Sequence, residues 1–109
     1  MADIIDISKL EFLQDKMGEW YCTLDGTPFT GTATQYLPGG SMLAESNFLN
    51  GYPEGIQREW YPNGKLKTEY SFKDYLFHGP SHSWYENGEL KYEGEHEKGK
   101  EVWGKRYGE

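Results

Sequence analysis

Three histidines, one cysteine and eighteen acidic residues are the groups from which catalytic or metal chemistry would have to be built. His78 and His82 stand four apart, which would bring two imidazoles together on a helix. Their surroundings read as loop and strand, where they need not meet, and His96 lies further on. Nucleophilic catalysis needs a Ser, Cys or Thr beside an aligned base, and no spacing in the chain implies one. Cys22 is alone, so it makes no intramolecular disulfide or thiolate cluster and reads as buried filler. Glu86, Glu89, Glu93, Glu95, Glu97 and Glu101 form an acidic stretch interrupted by Lys91, Lys98 and Lys100. Their spacing sets no distance for acid–base work; a solvated strand face or recognition of a basic surface accounts for them. No GxGxxG or GxxxxGK[ST] pattern occurs, so the glycines carry no phosphate-binding signal. The expectation is a chain that is not an enzyme and takes no cofactor or metal.

Composition narrows the classes further. The formal charge is −7 over 109 residues, 17% of which are aromatic, and glycine occurs 14 times. A duplex nucleic-acid binder carries a basic footprint, and binding to anionic lipid is opposed by negative charge. A basic protein partner suits this surface better. So much aromatic material argues against disorder, and the glycines suit many turns and few long helices. MADIIDISKL lacks a basic region followed by an apolar run, so it does not read as a secretion signal. No apolar stretch nears membrane-spanning length, and a cytoplasmic protein, monomeric when free, is expected.

The elements that would position these residues repeat. Gly31, Gly55 and Gly79 lie 24 residues apart, as do Gly40, Gly64 and Gly88. Tyr36, Trp60 and Trp84 share one position, Met42, Leu66 and Leu90 another, and Glu45, Glu69 and Glu93 a third. Phe48 and Phe72 align with His96. Three copies in register indicate a repeat array, whose full units run over about 31–54, 55–78 and 79–102 within residues 19–109. Alternation in the central unit places Ile56, Arg58, Trp60, Leu66, Thr68, Tyr70 and Phe72 on one buried face. Gln57, Glu59, Lys65, Lys67, Glu69 and Ser71 fall opposite, with Tyr61. Asn63-Gly64 and Asn87-Gly88 fit tight type I′ turns, and Gly39-Gly40 can do the same. Asp25-Gly26 signals another hairpin in a shortened copy, and GKRYGE resembles the start of a further one.

Residues 1–18 read as a helical cap. Ser8 and Glu11 fit a capping box, Ile7 and Phe12 a hydrophobic staple, and Leu10, Leu13 and Met17 recur at helical spacing before Gly18. A short α-helix over about 9–17 is expected to lie against the first strands.

The segments GTATQYLPGGSMLAES, GIQREWYPNGKLKTEY and GPSHSWYENGELKYEG, preceded by DGTPFTG, resemble MORN-type repeats in the variant found in the bacterial YwqK antitoxin family. The resemblance implies a mainly β fold, an elongated single-layer antiparallel meander of hairpins, to which the short α-helix read from the N-terminal residues adds a cap. It implies a structural role for Gly55, Trp60, Tyr61, Gly64 and Leu66 and their equivalents, and supplies no catalytic residues. Its members are associated with toxin neutralisation, so an antitoxin or immunity protein that occludes a toxin domain is expected. The alternative is a general interaction or self-associating scaffold. Partner contact is expected from Tyr61, Tyr85, Glu59, Glu86, Glu89, Tyr52, Tyr75 and Phe77. Trp60 and Trp84, with Leu66 and Leu90, are expected to form a core ladder.

Overall fold

The computed structural model describes residues 3–108; residues 1, 2 and 109, which the expected cap and array included, lie outside the described residues. Strand β1 covers Asp3–Asp6, and a 3-10 turn at Ile7–Lys9 leads to β2 (Glu11–Gln14), β3 (Trp20–Leu24) and β4 (Thr27–Pro28). The repeats follow as β5 (Gly31–Tyr36), β6 (Met42–Leu49), β7 (Tyr52–Pro53), β8 (Gly55–Trp60), β9 (Leu66–Lys73) and β10 (Leu76–Phe77). They continue as β11 (Gly79–Trp84), β12 (Leu90–Glu97) and β13 (Lys100–Arg106). The large sheet has the order β1-β5-β6-β8-β9-β11-β12-β13, with β7 on β6 and β10 on β9. β2, β3 and β4 make a separate sheet.

This corrects the expected single-layer antiparallel meander with a helical cap. β1 pairs with β5 in parallel, so the large sheet is mixed, and the small sheet adds a second layer. Among the described residues no α-helix forms at 9–17. The Asp6 side chain, not Ser8, caps the turn, accepting from the Ser8 N–H at 2.8 Å. Leu10 is already extended, with φ −92° and ψ 146°. Leu10 is 9% exposed and Met17 87%, so the apolar triad at helical spacing does not share a buried side. Phe12 pairs with Cys22 across β2 and β3 instead, because an extended segment can cover the aromatic floor of the first repeat.

The turns differ from expectation for a reason that rearranges the faces. Gly64 has a positive φ (88°) and Asn63 does not. The Gly64 N–H donates to Tyr61 O at 2.9 Å, and the Tyr61 N–H to Lys65 O at 2.8 Å. Pro62-Asn63-Gly64 is thus a three-residue loop, a type I turn closed by a glycine bulge, not a two-residue I′ turn. The register slips beside it, Glu59 facing Thr68 and Trp60 facing Leu66. Strand partners share a face, so Gly55, Gln57 and Glu59 lie with Phe72, Tyr70 and Thr68, while Ile56 and Arg58 lie with Ser71 and Glu69. Gln57 is 5% exposed and Ile56 41%, which overturns the expected parity before the turn. The two-residue turns with paired positive φ sit at the other hairpin ends, at Asp25-Gly26, Asn50-Gly51, Asp74-Tyr75 and Lys98-Gly99.

The core lies at one end of the large sheet. Leu10, Cys22, Phe29, Ala33 and Phe48 are its buried apolar residues, flanked by Ile5, Ile7 and Leu24. The Phe48 ring stands 6.3 Å from Phe12 and 6.2 Å from Phe29, edge to face with both. Burial pushes the Cys22 thiol up to about 11, which leaves it as packing material and not a nucleophile. The small sheet is pinned at the Asn50-Gly51 turn. There Gly51 O accepts from the Cys22 N–H and the Gly51 N–H donates to Phe29 O, both at 2.7 Å.

Candidate interaction surfaces

On the face carrying Arg58, strand partners run Glu45–Arg58–Glu69–His82–Glu93–Lys105, a glutamate alternating with a basic side chain. Arg58 bonds Glu45 at 3.1 Å and Glu69 at 2.6 Å. The aligned glutamates of the repeat are therefore rungs of a cross-strand charge ladder, and opposite charges at such positions stabilise a sheet. His82 stacks on Trp84 at 5.7 Å. Trp60 and Trp84, with Leu66 and Leu90, are only half-buried.

Apart from Glu59 on β8 and Phe77, which packs on Tyr70 and Phe72, the residues expected to contact a partner fall at the two opposite hairpin ends, separated by six-residue strands such as β8 and so by about 20 Å. At the three-residue loops, Tyr61 donates its hydroxyl to Trp84 O at 2.7 Å and Tyr85 to Tyr107 O at 2.6 Å. These tyrosines clamp one hairpin to the next. Asn63 Nδ2 adds a bond to Glu86 O at 2.9 Å. Glu86 and Glu89 are exposed there. Glu59 is exposed on the strand, accepting from the Thr68 hydroxyl at 3.1 Å.

At the two-residue turns a row of tyrosines forms. Tyr21 lies 5.7 Å from Tyr52, and Tyr52 lies 4.6 Å from Tyr75. The Tyr52 hydroxyl donates to Asp15 Oδ2 at 2.7 Å. That bond holds the Asp15 carboxyl below the usual carboxylate range and, with burial, pushes Tyr52 up to about 12. Because the folded Tyr52 value exceeds its ordinary 10.0, its contribution to stability is full below pH 10 and is lost as pH rises towards 12. Asp15 is depressed, so its contribution is present above its ordinary 3.8 and disappears as pH falls through the folded value. Thermal melts of wild type and Tyr52→Phe should therefore separate between those limits and converge in both acid and strong base. Parallel curves across the whole range would mean that the bond carries no stability.

A third surface was not anticipated. Positions 24 apart line the Gln57 face: Ala33, Gln57 and Ser81 at its floor, 1%, 5% and 8% exposed. Their strand partners are Ser46, Tyr70 and Gly94, and Phe48, Phe72 and His96 come next along those strands. The small sheet covers the first unit. The second fills itself, with Phe77 at 4.8 Å from Phe72 and 5.4 Å from Tyr70. Over the third, serine and glycine replace larger groups, and a groove of about 640 Å³ opens between Tyr70, Phe77, Ser81, Tyr92, His96 and Arg106. The Tyr92 side chain lies directly over Gly94, its Cζ 2.7 Å and Trp103 O 2.8 Å from where a Cβ would stand, so this position admits no side chain of its own. The signal for it in the sequence was departure from the repeat, at His96 and Gly94.

Ser81 Oγ and His96 Nδ1 lie 3.2 Å apart. A Ser–His nucleophile also needs a third group orienting the base and donors for an oxyanion. Glu101 instead accepts from the Tyr92 hydroxyl at 2.6 Å and Arg106 at 3.3 Å; the Tyr92 bond is the main cause of its lowered pKa. Among the described residues no hydrogen bond joins His96 to a carboxylate, and no group of three His, Cys, Asp or Glu could hold a metal ion. No helix among them is long and apolar enough to cross a membrane.

No curated protein and no solved structure matches the chain. Residues 53–74 and 77–98 match the MORN repeat variant family, the first segment running from β7 to the Asp74-Tyr75 turn and the second from β10 to the Lys98-Gly99 turn. The match identifies the repeat type and not an antitoxin branch of it. The chain carries a MORN-repeat-like domain.

Proposed function

We propose that this chain is a non-catalytic protein-interaction module that meets a basic partner through the tyrosine row at its two-residue turns. The observation behind this reading is Tyr75. Its φ is +71°, and the residues 24 before and after it are Gly51 and Gly99, with φ +90° and +84°. A side chain in the left-handed region costs about 1–2 kcal/mol, and such strain collects where a side chain has a use. Tyr75 remains 52% exposed, beside Asp74 in sequence, in a chain of net charge −7. Tyr61, Tyr85, Tyr92 and Tyr107 each lie under a cation of this chain, Lys67, Lys91, Arg106 and Lys105 respectively. Those aromatic faces already have charged neighbours, whereas the tip row is stacked only ring against ring. Arginine or lysine from a partner is the chemistry that fits it.

Neutralising a toxin with a basic active-site surface is the sharper form of the same reading, and the family resemblance alone motivates it. Calorimetric titration of wild type and Tyr75→Gly against products of neighbouring genes, and against an arginine-rich peptide, tests both levels. Tyr75→Gly should leave the melting temperature unchanged or higher and weaken binding at least tenfold. A partner that binds both proteins equally would remove the tyrosine row from the interface. A binding partner that is not toxic would leave the module and remove the antitoxin.

A further inference from the structure

We propose that the open groove over the third unit receives an extended, acidic and aromatic protein segment, in the way the first unit receives β2 to β4. The groove is separate from the tyrosine row, so either site can fail without the other.

The argument starts from equivalence of position. Ala33, Gln57 and Ser81 occupy one place in the three units, and all are buried. Over Ala33 the occupant is the chain's own segment, which sets Leu10, Cys22 and Phe29 against Ala33 and Phe48. That segment is extended, pairs with itself as a narrow sheet, and brings four acids (Glu11, Asp15, Glu19 and Asp25) against two lysines (Lys9 and Lys16). Over Ser81 no strand of the small sheet lies: Tyr92 over Gly94 and His96 beside Ser81 close the floor, and the groove above them is open. Tyr70, Phe77 and Tyr92 supply aromatic walls, and the space is within the range of sites that seat large side chains.

Charge chooses the occupant. The chain as a whole is acidic, yet Lys91 and Arg106 both line the groove, with Glu101 as its carboxylate. Glu101 is already engaged by Arg106 and Tyr92. Lys91 sits over the Tyr85 ring at 5.7 Å, and among the described residues it has no carboxylate within ion-pair distance. A carboxylate on the incoming segment answers Lys91 while an aromatic side chain enters between the Tyr70, Phe77 and Tyr92 rings. A basic segment would meet Lys91 and Arg106 with like charge.

The probe is a fluorescein-labelled peptide of residues 10–30 of this chain carrying Cys22→Ser, titrated with the full protein and read by anisotropy. Saturable binding is expected. The double variant Lys91→Glu, Arg106→Glu should weaken it at least tenfold, as should Glu11→Lys, Asp15→Lys and Glu19→Lys together in the peptide. Ser81→Gln, which places the second unit's residue on the floor, should weaken binding with no change of charge. Circular dichroism checks that each protein variant keeps its sheet. Absence of saturable binding overturns the proposal. So does binding indifferent to Lys91→Glu and Arg106→Glu, which would mean exchange with β2–β4 at the first unit, and so does equal binding of the lysine-bearing peptide.

Discussion

Phe48→Ala is expected to lower the unfolding free energy by about 3–5 kcal/mol, the usual cost of removing a buried aromatic ring. Phe48 is 9% exposed and touches both faces of the layer contact, Phe12 on one strand and Phe29 beyond another. Only five apolar residues are buried among those described, so little remains to hold the small sheet once this ring is gone. A domain of this length has a total stability on the order of 5–15 kcal/mol. The loss therefore takes a large share, and the melting temperature should fall on the order of 15 °C. Phe72, its equivalent 24 residues on, is half-buried and stacks mainly on Phe77. Phe72→Ala should cost roughly half as much or less, because a partly exposed site can relax around the gap. Chemical denaturation of the two variants gives the comparison directly. A stacked array with equivalent units would lose the same from either, and that outcome would contradict a core confined to the first unit.

That asymmetry marks the limit of what the residue pattern reveals. The interval of 24 makes the hairpins readable, because glycine, aromatic and Asn-Gly positions recur where chain reversals occur. Faces are harder. A three-residue loop such as Pro62-Asn63-Gly64 and a two-residue loop look alike in sequence, yet one inserts a bulge residue and inverts the parity of the strand before it. Gln57 thereby exchanges places with Ile56. The N-terminal segment failed for another reason. Ser8, Glu11, Leu10, Leu13 and Met17 satisfy a helical template locally, but the apolar floor of Ala33 and Phe48 lies uncovered unless that chain runs extended over it. Tertiary burial outweighs local preference of this size. Asp74-Tyr75 could not be read as a type I′ turn because neither residue is glycine, and its geometry shows only in the paired positive φ angles. The groove was legible only as contrast: Gly94 where the second unit has Tyr70, and His96 where it has Phe72.

Gly51→Ala should be nearly as damaging as the loss of Phe48, through backbone and not side chain. Gly51 has φ +90°, and a Cβ built on it would stand 2.7 Å from Cys22 O. That oxygen is main chain and cannot swing aside as a side-chain tip would. To make room, the Asn50-Gly51 turn must withdraw from β3, breaking two hydrogen bonds of 2.7 Å, Cys22 N–H to Gly51 O and Gly51 N–H to Phe29 O. Each such bond contributes about 0.5–1.5 kcal/mol net, and the left-handed conformation adds about 1–2 kcal/mol for any residue with a Cβ. A loss of roughly 3–4 kcal/mol follows from those terms. Gly64→Ala is the control: its φ is +88°, and nothing lies within 4 Å of its added Cβ, so it should lose only the conformational part. Guanidinium melts of the two variants separate strain from contact, since the backbone angle is shared and the neighbour is not. Hydrogen exchange locates the damage, with the amides of Cys22 and Gly51 losing protection in Gly51→Ala while β11 and β12 keep theirs. Equal destabilisation by both substitutions would show that the turn does not anchor the small sheet, leaving the aromatic contacts of Phe12 and Phe29 with Phe48 to hold the second layer alone.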